Sequence, residues 1–398
     1  MFRRALLASA MLLAALPAWA QTPGVTATEI KIGHTGPYSG PASAYGNIGR
    51  GLVAYFKMIN DRGGIAGHKI DFITADDGYA PPKTVEMTRR LVEQDNVAFT
   101  LNQLGTPSIT AVEKYLNGKK VPQLFVASGA DKWGNYQEFP WTIGWQPSYR
   151  IEAQVYAKYI LANMPNAKIG VLYQNDDFGK DYVVGLKDAL GDKFDRMVVK
   201  TASYEVTDPT VDSQIVSLQA SGADVFINAA TPKGAAQAIR KVFDLGWKPA
   251  HFMSNVSSSV GTVITPAGVE RAVGVITVGY AKDPTDTVWA NDPGMTEWRG
   301  FMKQYLPDAD LADSNFVFAY GVGTTIRQVL VQCGTDFSRE NIMKQATNIK
   351  DLIVPTLLPG IKINTSPTNY HPIRQMQLQK WNGKTWERFG EILEGAGS

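Results

Sequence analysis

Apolar residues in the first part of the chain form short continuous runs, separated by longer stretches with helical spacing. Within residues 42–60, for example, Leu52, Val53, Phe56 and Ile59 recur on one face of a predicted helix. Short apolar runs that alternate with helices are typical of parallel βαβ units. The predicted strands are 29–35, 69–75, 96–102 and 122–127, and the predicted helices are 42–60, 82–94 and 107–117.

The same alternation restarts at residue 148 and changes after residue 271. The predicted helices of the second half are 148–164, 179–190, 209–220 and 232–245, and its strands are 168–174, 197–204, 224–228 and 251–255. The last part of the chain predicts a strand at 273–280, helices at 294–306, 315–332 and 338–349, and a hairpin with arms 376–381 and 386–389 around Asn382-Gly383.

These patterns predict the α/β fold class, with two doubly wound parallel-sheet lobes. Because no low-complexity linker separates them, we expect a hinge made of several strands. The trailing helices need a sheet to cover, and the first sheet is the one without enough helices. We therefore expect an N-terminal lobe of 21–144 and 278–350, and a C-terminal lobe of 145–277 and 351–398.

The first twenty residues have the pattern of a secretory signal peptide. Arg3 and Arg4 precede the apolar run 5–16, and Ala18-Trp19-Ala20 supplies small residues before a cleavage point. The run is too short to cross a bilayer. We expect residues 1–20 to be removed and the protein to reside in the bacterial periplasm.

Charge and cysteine content exclude several classes of protein. Removing the signal takes two of the 39 basic residues and none of the 37 acidic ones, which leaves 37 of each. A neutral chain without a basic cluster has no footing for nucleic-acid binding. Cys333 is the single cysteine and lies in an apolar helical pattern, so we expect an inert buried thiol and no disulfide.

The sequence shows no motif for catalysis, a cofactor or a metal. The four histidines are scattered without metal-ligand spacing, and neither a nucleophile elbow nor a phosphate-binding loop occurs. The paired acids Asp76-Asp77 and Asp176-Asp177 follow predicted strands, where capping is the more common role of such residues. We therefore expect a binding protein without cofactor or metal, not an enzyme.

The turn between strand 96–102 and helix 107–117 is a candidate anion site. Pro107 suits the first helical residue, which would place Thr106 at the N-cap. The free N–H groups and the dipole of a helix start both favour negative charge. The turn thus predicts a site for a ligand carboxylate, although an ordinary capped βα turn would show the same residues.

Small, hydroxyl and aromatic residues follow the other predicted strands as well. Parallel sheets bind ligands beyond the carboxyl ends of their strands, so two facing lobes would line one cleft with these segments. The second lobe contributes Asn228, Thr231 and Asn255 as candidates. The segments are 36–45, 103–108, 127–130, 175–178, 228–231 and 255–258.

Several stretches resemble the type I periplasmic solute-binding proteins of ABC importers, in their branched-chain amino acid (Leu/Ile/Val-binding) class. They are Ile30-Lys31-Ile32-Gly33 through Gly36-Pro37-Tyr38-Ser39-Gly40, Ile59-Asn60 with Gly63-Gly64-Ile65-Ala66-Gly67, Asp76-Asp77, Val121-Pro122 and Asp177-Phe178-Gly179. Their order and spacing cover nearly the whole mature chain. The resemblance implies a monomer that closes on a ligand and delivers it to an ABC permease.

The resemblance also implies positions for the ligand. Its carboxylate would lie at Gly105–Thr106 and Ala127-Ser128-Gly129, with Tyr45 over the apolar part and Phe178 closing from the second lobe. Amino acid receptors of this class place an acid after the strand that corresponds to 251–255, whereas residues 255–259 contain none. Because a buried ammonium without a counter-charge is costly, an α-amino acid is disfavoured.

Aromatic residues at the predicted cleft suggest a flat ligand. Trp145, Phe178, Tyr45 and Tyr280 can pack against a ring. With the carboxylate site, this resembles the branch that binds aromatic or hydrophobic acids such as benzoate or phenylpropanoid derivatives. The alternatives are a branched-chain amino acid as ligand, or a sensory receptor component that signals and does not transport.

Overall fold

A computed structural model describes residues 22–394. The predicted signal peptide, 1–20, lies outside this range. The first part of the chain forms β1 (Glu29–Gly36), α1 (Gly46–Asp61), β2 (Lys69–Asp76), α2 (Pro81–Glu93), β3 (Phe99–Leu101), α3 (Thr106–Gly118), β4 (Gln123–Val126) and β5 (Thr142–Gly144). These strands form one sheet in the order β2-β1-β3-β4-β5, and every neighbouring pair is parallel.

The second part of the chain builds a larger sheet. Its elements are α4 (Tyr149–Asn163), β6 (Ile169–Gln174), α5 (Asp177–Leu190), α6 (Phe194–Met197), β7 (Val198–Tyr204), α7 (Asp212–Ala220), β8 (Val225–Ala229), α8 (Pro232–Asp244), β9 (Ala250–Met253), α9 (Thr265–Ala267) and β10 (Ile276–Gly279). The strands from β7 to β10 are parallel, in the order β7-β6-β8-β9-β10. The prediction of two parallel α/β sheets is confirmed.

The last part of the chain serves both sheets. It contains α10 (Pro293–Tyr305), α11 (Ser314–Gln332), α12 (Arg339–Ala346), β11 (Gln375–Trp381) and β12 (Trp386–Glu394). The predicted hairpin is confirmed, because β11 and β12 pair antiparallel around a turn with Gly383 at φ +97°. β11 also pairs antiparallel with β10 and so extends the second sheet. The three helices pack into the core of the first sheet, as expected from its missing cover.

Residues 354–373 do not follow the predicted division into lobes. Val354, Ile361 and Ile373 are buried in the core of the first sheet, whereas the sequence places 351–398 with the second lobe. The short apolar runs of this stretch cannot show which core they enter, and the pairing of Leu352 with Ile363 is a local bridge. We propose that the first lobe comprises 22–144 and 280–373, and the second 145–279 and 374–394.

The chain therefore passes between the lobes at three places, near residues 145–148, 280 and 374. Hydrogen bonds also join the lobes away from these crossings. Ser259 Oγ donates to Asp313 at 3.0 Å, and the Asp131 amide donates to Asp181 at 2.8 Å. The structure thus describes a conformation in which the lobes are in contact. None of the helices between residues 22 and 394 is both long and apolar enough to cross a membrane.

Candidate functional site

A cavity of about 930 Å³, its open mouth included, lies between the two lobes. Both lobes, the segment after β10 and the start of α11 contribute to its walls. The residues that line it include Tyr45, Tyr79, Gly105, Thr106, Ala127, Gln146, Tyr149, Phe178, Thr231, Asn255, Val256, Tyr280, Asp283 and Phe318.

The start of α3 forms one end of this lining, but its cap differs from the prediction. Gly105 is the N-cap, at φ +100°, and Thr106 is the first helical residue. The sequence places Thr106 at the N-cap, which is wrong by one residue. Glycine takes this position because a Cβ there would lie 2.5 Å from the Tyr79 ring. The helix start consequently presents the Gly105–Thr106 backbone directly to the cavity.

The Thr106 hydroxyl is oriented by Ser128. Ser128 Oγ accepts hydrogen bonds from Trp133 Nε1 at 2.9 Å and from the Ala130 amide at 3.2 Å. Since a hydroxyl oxygen has two acceptor lone pairs, the proton in its 2.7 Å contact with Thr106 Oγ1 comes from Ser128. Thr106 therefore keeps its own proton free to donate, which suits an anionic ligand group.

Six aromatic rings form the walls of the cavity. Phe178 packs edge-on against Tyr149, with ring centroids 4.8 Å apart. Tyr45 Oη donates to the Val256 carbonyl of the other lobe at 3.1 Å. Burial raises the pKa of Tyr45, so this phenol stays protonated. The rings belong to Tyr45, Tyr79, Tyr149, Phe178, Tyr280 and Phe318.

Four of the predicted site residues lie behind the lining. The Trp145 indole is buried against Tyr280 and Phe318, and it donates to Thr325 Oγ1 at 3.0 Å, so it supports the aromatic wall from outside. Asn228 lies within β8 and its amide contacts His251 Nε2 at 3.2 Å. The other two, Ser128 and Gly129, act on lining residues and do not reach the cavity themselves.

Gly129 positions Tyr149. Its carbonyl accepts the Tyr149 amide at 2.7 Å, and a Cβ at Gly129 would lie 2.3 Å from the Pro147 carbonyl oxygen.

The structure does bring seven predicted residues together at the cavity. They are Tyr45, Gly105, Thr106, Ala127, Phe178, Thr231 and Asn255.

Two of the second-lobe residues are already committed to protein partners. The Thr231 hydroxyl donates to Gln174 Oε1 at 3.0 Å. Asn255 donates its backbone amide to Glu152 Oε1 at 2.9 Å and its side-chain amide to Glu152 Oε2. Glu152 is fully buried and also accepts from Tyr156 Oη at 2.6 Å. Burial raises the pKa of Glu152 to about 7.

Sequence reasoning missed several lining residues, among them Tyr79, Tyr149, Phe318 and Asp283. Tyr79 follows β2 at φ +62°, and Asp77 holds this turn by accepting the Tyr79 amide at 2.9 Å. The Asp76-Asp77 pair was a visible signal for a structured turn, although not for an aromatic residue in the site. Asp283 follows β10, outside the strand ends that the sequence pattern identifies.

Across residues 22–394, no group of three or more His, Cys, Asp or Glu side chains is arranged to hold a metal ion. Cys333 is buried, and burial raises the pKa of its thiol to about 12. The cavity itself has hydroxyl and helix-start donors at one end, aromatic rings around the middle and an acid near the hinge.

A family model described as periplasmic binding protein matches residues 29–385. An "Amino acid binding protein" from Pseudomonas aeruginosa is 25% identical, over 64% of this chain and 68% of that relative. The "Leu/Ile/Val-binding protein homolog 7" of Brucella suis is 23% identical, over 95% of this chain and 93% of its own length.

Solved structures share the fold. A branched chain amino acid ABC transporter protein from Thermus thermophilus with bound valine superposes with a TM-score of 0.83 at 15% identity, covering 93% of this chain and 97% of that one. A fatty acid ABC transporter substrate-binding protein from Thermomonospora curvata gives 0.76 at 21% identity, covering 94% and 95%. At such identities the similarity concerns the architecture.

Proposed function

The chain belongs to the periplasmic binding protein family, and from this premise we propose that it is the substrate-binding component of an ABC importer. It captures a small carboxylate-bearing ligand, aromatic or otherwise hydrophobic, in the cavity between its lobes and delivers it to a permease in the inner membrane. It acts as a monomer in the periplasm. The genetic context distinguishes a role in import from a role in sensing, because permease and ATPase genes beside the gene for this protein favour import.

The free Thr106 hydroxyl at the start of α3 is the observation that supports a carboxylate group on the ligand. Ser128 supplies the proton of their shared contact, so Thr106 donates toward the cavity. Gly105 leaves the backbone there open to close approach. An anion at a helix start gains about 0.3–2 kcal/mol from the dipole.

The observation that favours a hydrophobic, flat ligand is the set of six rings around the cavity. Micromolar affinity requires about 8 kcal/mol. Since the helix start contributes a small part of this, burial of apolar ligand surface must supply most of it, at about 25 cal/mol per Å². Ring pairs add about 0.5–1.5 kcal/mol each.

The first test is a thermal-shift screen of the mature protein. We expect an aromatic acid such as benzoate or a phenylpropanoid acid to raise the midpoint of unfolding. A ligand present at one hundred times its dissociation constant adds about 2.7 kcal/mol of stability. Amino acids, short aliphatic acids and fatty acids are the comparison set. A shift with leucine or valine and none with any aromatic acid would overturn the aromatic assignment.

A branched-chain amino acid is the second candidate, and one observation favours it. The sequence disfavours an ammonium because residues 255–259 contain no acid. Asp283, however, lines the cavity from a different segment. The names of the relatives in Pseudomonas and Brucella point the same way. The same screen distinguishes the two candidates.

We expect Thr106→Ala to lower the affinity for any carboxylate ligand by about tenfold or more, because a hydrogen bond to a charged group contributes about 1.5–3 kcal/mol. Ser128→Ala should weaken binding less, since Thr106 keeps its hydroxyl but loses its orientation. Both variants should remain folded. Isothermal titration calorimetry measures the affinities, and Thr106→Ser is the control that retains a donor. Unchanged affinity in both alanine variants would remove the carboxylate from this end of the cavity.

A further inference from the structure

Two residues of opposite charge, Lys282 and Asp283, are adjacent in the segment after β10. Of the two, only Lys282 forms an ion pair within residues 22–394. The Lys282 ammonium donates to Asp292 Oδ1 at 2.7 Å and to the Pro355 carbonyl at 2.8 Å. The backbone of Lys282 is also fixed, because its amide donates to the Thr356 carbonyl at 2.8 Å. Lys282 is therefore held in an ion pair with Asp292 and does not neutralise its neighbour Asp283.

Within residues 22–394, only one of the two Asp283 carboxylate oxygens accepts hydrogen bonds. Its Oδ1 accepts from the Thr285 amide at 2.8 Å and from the Thr285 hydroxyl, which closes a local turn. Within residues 22–394, no hydrogen bond or ion pair reaches Oδ2. The side chain lines the cavity between the lobes. Because Asp283 is a partly buried residue of this lining, a ligand in the cavity can approach a carboxylate that has one oxygen without a protein partner.

The electrostatic environment of Asp283 favours a hydrogen-bond donor at this oxygen. Burial raises the pKa of Asp283 to about 6, and the nearby charge that adds to the rise is another acid, Asp286. A carboxylate at neutral pH in such a place is stabilised by any group that brings it a proton to share. Tyr280, on the same segment, is buried as a residue, and its hydroxyl also has no hydrogen-bond partner within the described range.

An all-apolar ligand would cover these two polar groups and leave them unpaired, which is unfavourable. We infer that Asp283 is a specificity-determining residue that accepts a hydrogen bond from the ligand, so that the ligand carries an O–H or N–H donor in addition to its carboxylate. This inference rests on the proposed function. It narrows the preferred ligand class to hydroxylated or amino-bearing acids, which should bind more tightly than the matching plain hydrocarbon acids.

The test compares pairs of ligands that differ by one donor: 4-hydroxybenzoate with benzoate, phenylalanine with 3-phenylpropanoate, and leucine with 4-methylpentanoate. Calorimetry on the wild-type protein should show, for at least one pair, that the donor-bearing member binds about tenfold more tightly or better. In Asp283→Ala we expect that preference to fall to about twofold or less, while the affinity for the donor-free member stays the same or rises.

Two further variants sharpen the result. Asp283→Asn retains an acceptor without charge, so it should preserve most of the preference for a hydroxyl donor and lose that for an ammonium. Asp286→Ala removes the adjacent acid, which does not line the cavity, and should keep the wild-type preference for the donor-bearing member, since Asp283 itself is retained. The preference should also survive in Thr106→Ala, where both members of a pair weaken together.

The inference is overturned if donor-free acids bind as tightly as their partners, or if Asp283→Ala keeps the wild-type preference. In either case carboxylates still bind, and the proposed function stands. If no acid of any pair binds, the proposal of a carboxylate ligand is wrong. The inferred role of Asp283, which rests on that proposal, is then wrong as well.

Discussion

Glu152→Ala should lower the free energy of unfolding by about 3–5 kcal/mol and also weaken ligand binding. The carboxylate is fully buried and accepts hydrogen bonds from the Asn255 backbone, the Asn255 side chain and Tyr156. Truncation leaves the two Asn255 donors unpaired, at about 1–3 kcal/mol each before relaxation, and opens a cavity, whereas Tyr156 retains the Met253 carbonyl at 2.8 Å as an acceptor. Asn255 lines the ligand cavity, so the loss of its anchor also loosens the site.

Urea unfolding and calorimetry measure the two effects of this substitution. Glu152→Gln is the matched control, because it keeps the volume and one acceptor oxygen, and we expect a smaller loss in both measurements. If Glu152→Ala unfolds at the wild-type urea concentration, the buried carboxylate does not organise this part of the second lobe.

The pH dependence of the free energy of unfolding is a second test of the role of Glu152. Burial raises the pKa of Glu152 from 4.5 to about 7, so the folded protein holds a proton that the unfolded chain has released. Stability from this group is therefore present at low pH and is lost as pH rises from about 4.5 to about 7. The difference in stability between wild type and Glu152→Gln should shift in favour of the variant over that window. A difference that stays constant with pH would contradict a raised pKa.

Gly105→Ala should reduce ligand affinity by about tenfold to a hundredfold. At φ +100° an alanine is strained by about 1–3 kcal/mol, and its Cβ would lie 2.5 Å from Tyr79 Cε2. Relief of the clash must move either the Tyr79 ring or the start of α3, and both line the cavity. The carboxylate end and one aromatic wall are disturbed by a single methyl group.

Gly63→Ala is the matched control for this substitution. Gly63 has φ +105° and nothing within 4 Å of the position of a Cβ, so it carries comparable backbone strain without the clash. We expect Gly63→Ala to lose the stability that corresponds to backbone strain alone and Gly105→Ala to lose at least as much in thermal unfolding, and only Gly105→Ala to lose affinity in calorimetry. Equal affinities in the two variants would show that the Gly105 corner does not contact the ligand.

The sequence alone determined the kind of fold and much of the site. Apolar runs alternating with helical spacing predict the two parallel sheets because both patterns are local properties of the chain. The hairpin around Gly383 and the strand-to-helix turn at Gly105–Thr106 are likewise encoded by neighbouring residues. Residues at strand ends reach the cavity because the carboxyl ends of parallel strands share one edge of a sheet.

The tertiary structure decided everything that depends on partners distant in sequence. Gly105, and not Thr106, caps α3 because the Tyr79 ring occupies the space of a Cβ and Ser128 engages the Thr106 hydroxyl. Trp145 turns away from the cavity because Thr325, on α11, takes its N–H.

The same holds for the hinge side of the molecule. Residues 354–373 enter the first core because the chain crosses back there after β10, and an apolar run does not specify which of two cores it fills. Asp283 reaches the cavity by that crossing too, although no strand-end rule points to it. Local patterns thus determined the elements and one wall of the site, whereas the meeting of the two lobes decided which polar groups were left for the ligand.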